Sequence, residues 1–167
     1  KKILMRFFYG RKLPKKFSKK KHEYLKSSIF FFSESVAKEK IKIFSKKFFS
    51  LDLEIGIGTG ENIIYLARKD HLSGFIGCDP YLKGHYNINE NLKLNDQNNL
   101  IHTNLAFGQL FVFLKNTKLR SIFILFPDPW PKIKHKKRRL INVRFVNKIY
   151  KILENFGSVY LATDNEE

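Results

Sequence analysis

Leu53-Glu54-Ile55-Gly56-Ile57-Gly58-Thr59-Gly60 carries an apolar, acid-bearing run into three glycines spaced G-x-G-x-G. Phe49 to Ile55 has strand character, Gly56 to Gly60 is a tight turn, and Glu61 to Lys69 places Ile63, Ile64 and Ala67 at helical spacing. Strand, glycine turn and helix repeat outward from there. Gly74 to Cys78 is a second strand ending at Asp79, and Tyr81 to Leu94 is a weak helix interrupted by Asn residues. Leu100 to Thr103, Ala106 to Leu114 and Leu119 to Phe126 read as strand, helix and strand. A long helix then sets Ile141, Phe145, Ile149 and Ile152 on one face and is expected to end near Asn155, with Gly157 as terminator. Ser158 to Thr163 is a fifth strand.

Strand alternating with helix five times predicts an α/β fold with a doubly wound, mostly parallel sheet. Right-handed crossovers put the strand C-terminal ends on one edge, where ligands bind. Glu54, Asp79, Asn104, Asp128 and Asp164 all fall at or just after those ends.

At 167 residues the chain fits one domain with a sizeable core, and 43% hydrophobic content argues against disorder. A formal net charge of +17 calls for an acidic partner, although abundant Lys, Ile, Asn and Phe also follow from AT-rich coding drift. Clustering of charge is the stronger signal. The single cysteine, Cys78, excludes an internal disulfide and a multi-Cys metal site, so no metal is expected. No apolar stretch approaches the roughly 20 residues needed to span a bilayer, and the basic start is not followed by a signal-peptide segment. The expectation is a soluble, cytoplasmic protein without membrane contact, a monomer being favoured.

Residues 1–48 form a basic arm and helix, distinct in composition from residues 49–167. Up to Lys21 the basic residues are interleaved with Phe7, Phe8, Tyr9 and Phe17 without periodicity, which reads as an arm that docks on nucleic acid or as a solvated tail. Between Glu34 and Phe49, Val36, Ile41, Ile43 and Phe44 permit a short helix with a basic face.

The glycine loop narrows the ligand. A dinucleotide fingerprint wants its third glycine at position 61, where this chain has Glu61, a residue that repels a pyrophosphate at a helix N-terminus. A nucleoside with a positive centre and no phosphates suits Gly56, Gly58 and Gly60 better, and S-adenosylmethionine fits that description. Asp79 stands where an acid hydrogen-bonds a ribose diol, about 20 residues beyond the loop. Glu54 is placed to attract a sulfonium or ammonium. Asn104 reads as a purine-edge contact or as an ordinary strand-end Asn.

A second stretch carries the reacting end. Phe126-Pro127-Asp128-Pro129-Trp130-Pro131-Lys132 runs into Ile133-Lys134-His135-Lys136-Lys137-Arg138-Arg139, a lone acid on a proline-stiffened turn beside a cationic patch. Such a patch neutralises phosphates with salt-dependent, largely sequence-blind affinity. Trp130 either stacks a base or packs.

These stretches, together with Leu53 to Gly56 and Ala162-Thr163-Asp164, resemble the bacterial tRNA (guanine-N7-)-methyltransferases from about Phe49 onward, with a weaker echo at Arg6 to Arg11. The resemblance implies a Rossmann-like fold of the class I S-adenosylmethionine-dependent methyltransferases and methyl transfer to N7 of a guanosine in the tRNA variable loop. It implies that Asp128 is the catalytic position and that Lys132 and Asp164 contact substrate. It further implies that Glu54, Asp79 and Asn104 line the S-adenosylmethionine site and that Ile133 to Arg139, including Lys134, His135, Lys136, Lys137 and Arg138, touch RNA. The family pattern runs on beyond Glu167 through a further helix and two strands with a Thr-Asn-x-Glu motif, so the sheet is expected to lack its last strands. Two alternatives stand beside this reading: methylation of an exocyclic base amine, since Asp-Pro-Trp also resembles the loops of those enzymes, and a non-catalytic RNA-binding remnant.

Overall fold

The computed structural model describes residues 18–94 and 97–165. The six strands are β1 (Phe31–Phe32), β2 (Ser50–Ile55), β3 (Ser73–Cys78), β4 (Leu100–Thr103), β5 (Leu119–Leu125) and β6 (Leu153–Ala162). They form one sheet in the order β1-β4-β3-β2-β5-β6, and every pairing is parallel. The helices are α1 (Lys19–Ser27), α2 (Ala37–Ser45), α3 (Glu61–Lys69), α4 (Leu82–Leu94), α5 (Phe107–Leu114) and α6 (Val143–Ile152). The sheet is doubly wound, as its alternation predicts.

The central strands are buried on both sides, β3 at all six positions. Leu51, Leu53, Ile55, Ile76, Ile122 and Ile124 face a core completed by Ala37, Ile41 and Phe44 of α2, Leu110 and Leu114 of α5, and Phe145, Ile149 and Ile152 of α6. Phe75 and Leu100 face the other way, onto Ile63, Ile64 and Ala67 of α3 and Ile88 and Leu92 of α4. Fully burying one such aliphatic side chain contributes roughly 1.5–3 kcal/mol, so these two layers supply most of the driving force. Over β5 and β6 the second face lies open. Asp52, Arg120, Phe123, Phe156 and Tyr160 help line a cavity of about 460 Å³ there. Phe123 stacks on Tyr160 with ring centroids 4.8 Å apart, and Arg120 bridges the buried Asp52 to Asp70.

Three local readings change. The segment up to Lys21 reads as an arm without periodicity, but Lys19 to Lys21 already belong to α1, whose start is capped by the Ser18 hydroxyl accepting from the Lys21 N–H at 3.3 Å. The rest of the arm, including Arg6 to Arg11, lies outside the described residues. Residues before 49 also enter the sheet: Phe31 and Phe32 pair with His102 and Thr103, an aromatic pair too short to show strand periodicity. Finally, α6 ends at Ile152 and β6 begins at once, so Gly157 terminates no helix. It sits in a strand irregularity after Phe156 (φ 64°), where a Cβ would fall 2.9 Å from the Arg120 carbonyl oxygen.

Candidate active site

The chain leaves β2 in one direction, through β3 to β4, and later returns to lay β5 on the opposite side of β2. The crevice outside the C-terminal ends of β2 and β5 is therefore the switch point where ligands bind in such sheets. Two loops flank it: Gly56 to Gly60 after β2, and Phe126 to Pro131 after β5.

Gly56, Gly58 and Gly60 all have positive φ (84°, 51° and 86°), which side-chain-bearing residues rarely adopt. A Cβ at Gly56 or Gly58 would meet nothing within 4 Å, so that backbone is open to an incoming molecule. Gly60 is the opposite case, pressed against Ile88. Helix α4 crosses the loop so closely that a Cβ on Gly84 would fall 1.6 Å from the Gly58 carbonyl oxygen. Sequence reasoning missed Gly84; its signal was a glycine inside a helix, a position that costs about 1 kcal/mol and asks for a packing reason.

The two acids come together at this loop. Asp79 Oδ2 accepts from the Gly58 N–H at 3.1 Å and Oδ1 accepts from the Tyr81 N–H at 2.8 Å, fixing both ends of the carboxylate. Burial raises its pKa above the usual carboxylate range, those two hydrogen bonds oppose the rise, and the Asp128 charge adds to it. Glu54 is buried, and desolvation pushes it up to about 7 even though Asn62 Nδ2 donates to Oε2 at 2.8 Å. Asn62 is a partner that the sequence reading did not name.

The β5 loop is strained. Phe126 (φ 49°) and Trp130 (φ 43°) are left-handed non-glycine residues, and each precedes a proline, which ordinarily drives its predecessor to the extended region. Each such residue costs on the order of 1–3 kcal/mol and persists only when its surroundings over-determine it. Those surroundings are visible. The Phe126 N–H donates to the Ala162 carbonyl at 2.9 Å, and Arg139 Nε donates to the Pro129 carbonyl at 2.9 Å. Arg138 lies over the Trp130 ring at 4.9 Å, and His135 meets the ring edge-on at 5.6 Å. Asp128 is held, exposed, between the strained residues.

The remaining predicted residues divide. Asn104 occupies the bend directly after β4 and is half-buried; Asp164 is exposed, two residues past β6. Both are on the site's edge of the sheet, at the C-terminal ends of β4 and β6. Ile133–Arg138 is a 3-10 helix entered from Lys132, with Lys132, Lys134, Lys136 and Lys137 exposed and His135, Arg138 and Arg139 half-buried. The patch therefore has an outer set of lysines and an inner set that braces the Asp128 loop. His135 is held below the usual imidazole range, by desolvation first and then by the neighbouring cations Arg138, Lys132 and Lys137. Among the described residues no three His, Cys, Asp or Glu side chains are grouped to hold a metal, and no helix is long and apolar enough to cross a membrane.

Residues 50–167 match the model of a family described as "Putative methyltransferase". A Wolbachia pipientis protein named tRNA (guanine-N(7)-)-methyltransferase is 38% identical over 115 residues, covering 69% of this chain and 52% of that protein. A Rickettsia typhi protein named bifunctional methyltransferase is 37% identical over 164 residues, 95% of this chain and 30% of its own length. Among solved structures, an antibiotic-related methyltransferase superposes with a TM-score of 0.54 at 23% identity, covering 70% of this chain and 59% of that one, a likeness of fold. The chain spans about half the length of the relatives named tRNA (guanine-N(7)-)-methyltransferase that it matches.

Proposed function

This chain belongs to the methyltransferase family whose model it matches over residues 50–167, and from that membership we propose that it transfers a methyl group from S-adenosylmethionine to N7 of a guanosine in tRNA, in the variable loop. The observation that carries the proposal is the arrangement of two loops at the switch point, the glycine loop bonded to Asp79 after β2 and the proline turn bearing Asp128 after β5.

The residues present fit the cofactor. The open backbone at Gly56 and Gly58 admits a nucleoside, Asp79 is fixed to hold a ribose, Asn104 is placed for the purine edge, and Glu54 attracts positive charge. When bound, S-adenosylmethionine supplies an electrophilic methyl on a sulfonium. Guanine N7 carries a free lone pair, so attack requires no prior deprotonation and the protein's work is orientation and electrostatics. Asp128 accepts from guanine N–H donors and favours the cationic methylated base. The contacts that hold Phe126 and Trp130 in their strained conformations also fix the turn that carries that exposed carboxylate. Lys132 and Asp164 contact the substrate nucleotide, while Lys134, Lys136 and Lys137, with His135, Arg138 and Arg139 behind them, meet the phosphates.

The test is nucleoside analysis of tRNA after incubation with the protein and S-adenosylmethionine. The expected product is 7-methylguanosine; 6-methyladenosine in its place would favour exocyclic amine methylation. Asp128→Ala is expected to abolish turnover with tRNA affinity nearly intact.

A further inference from the structure

Beneath the Asp79 turn lies a pair of histidines that the reaction above does not use. His85 of α4 and His102 of β4 are fully buried, with ring planes 11° apart and Nδ1 atoms 2.9 Å from each other. His85 Nε2 lies 2.6 Å from the main-chain carbonyl of Asp79, and His102 Nε2 lies 2.8 Å from the side-chain amide of Asn89. Asn89 in turn bonds the Ser28 hydroxyl at the end of α1, at 2.9 Å. Phe31 of β1 packs its ring against both imidazoles at 5.4 and 5.5 Å, sealing them from water.

The proton positions follow from one end. A carbonyl only accepts, so His85 Nε2 carries a hydrogen and donates to Asp79. Burial holds both rings below the usual imidazole range and keeps them neutral near pH 7. His85 Nδ1 is then an acceptor, His102 Nδ1–H its donor, and His102 Nε2 a bare lone pair. That lone pair requires an N–H from Asn89. With Oδ1 toward His102, Asn89 Nδ2 is buried with no hydrogen-bond partner among the described residues. Exchanging the amide's O and N, which shifts no atomic position, resolves both conflicts, the second amide N–H then donating to Ser28 Oγ where the hydroxyl had donated to Oδ1. The lone pair left over on the amide oxygen is the cheaper defect.

We propose that His85 is a positioning residue for Asp79, the terminal donor of a buried chain running from Ser28 through Asn89 and His102 to the Asp79 carbonyl. The Asp79 carboxylate is already tied to the Gly58 and Tyr81 N–H groups. The histidine fixes the same residue from below, so the acid meets its ligand without searching. This rests on the cofactor reading of the site only for its consequence; the positioning itself is a property of the free protein.

Two substitutions separate positioning from packing. Glutamine places its amide nitrogen near His Nε2 and can keep the bond to Asp79, whereas asparagine reaches only the Nδ1 position and keeps the bond toward His102. Amide hydrogen exchange in the free protein reads the turn at Gly58 and Tyr81. His85→Asn is expected to lower protection of both amides about tenfold, and His85→Gln to leave them within about threefold of the parent. Calorimetry with S-adenosylmethionine should give the same ranking of affinities. Equal behaviour of the two variants, or unchanged protection in His85→Asn, overturns the proposal. A parent protein that shows the exchange pattern but binds no S-adenosylmethionine would sink the cofactor reading and leave the role of His85 standing.

Discussion

Asn62 donates to Glu54 at 2.8 Å, yet the bond does not hold the acid in its ordinary range, because burial pushes the carboxyl up to about 7 from the usual 4.5. Below about pH 4.5 Glu54 is protonated in both folded and unfolded chains. Between pH 4.5 and 7 the unfolded chain ionises first, so stability falls as pH rises, by up to about 3 kcal/mol. Glu54→Gln keeps an acceptor for Asn62 and removes that penalty. Its thermal midpoint is expected to exceed the parent's at pH 8 and to match it at pH 4; a lower midpoint at pH 8 would refute the account. A cationic ligand seated beside Glu54 is also expected to expel its proton near pH 7, visible as a binding enthalpy that changes with the buffer's ionisation enthalpy.

Gly84→Ala is expected to cost about 1–3 kcal/mol, since its methyl has only backbone to displace. Chemical denaturation checks the stability, and cofactor titration should show at least a tenfold loss of affinity. Wild-type affinity in this variant would mean that α4 and the loop part easily.

The strain at Phe126 gives an unusual sign. Phe126→Gly accepts φ 49° without a Cβ and should be neutral or stabilising by up to about 1 kcal/mol, although the phenyl ring is lost. Phe126→Val, whose branched side chain resists that conformation, should destabilise by about 1–2 kcal/mol. Denaturation midpoints that reverse this order would show that the ring, not the backbone, governs the position.

Lysines and arginines of the basic segment should separate by assay. Replacing Lys134, Lys136 and Lys137 by Ala is expected to reduce the slope of log affinity for tRNA against log salt by about 2, with cofactor binding unchanged. Arg139→Ala frees the Pro129 carbonyl and should lower turnover more than it changes the salt slope. Equal slope changes in both would mean that Arg139 serves phosphate alone.

Most of the sheet was legible in the sequence because β-α alternation writes itself in period and punctuation. Glu61–Lys69 and Leu100–Thr103 coincide with their expected spans, and Glu54, Asp79 and Asp128 meet at the switch point because topology alone sends strand ends there. What escaped notice has a common physical origin in tertiary contact. Phe31–Phe32 is a strand only because His102 and Thr103 offer it an edge. His85 and His102 are 17 positions apart on different element types, so no spacing announces them. Gly157 looked like a helix stop, but its lack of a side chain answers to Arg120 on the neighbouring strand.

The contact between Gly84 and Gly58 has a final consequence. It sets the main chain of the glycine loop directly on α4, beside the contact of Gly60 with Ile88, so the loop is a shelf resting on the helix, not a flap. Where Gly84 meets Gly58 neither residue has a side chain to exchange, so on the function proposed above ligand preference is not expected to be set at that point. On that proposal adaptation acts through the rim, at Glu54, Asp79 and Asn104, while position 84 tolerates little beyond glycine.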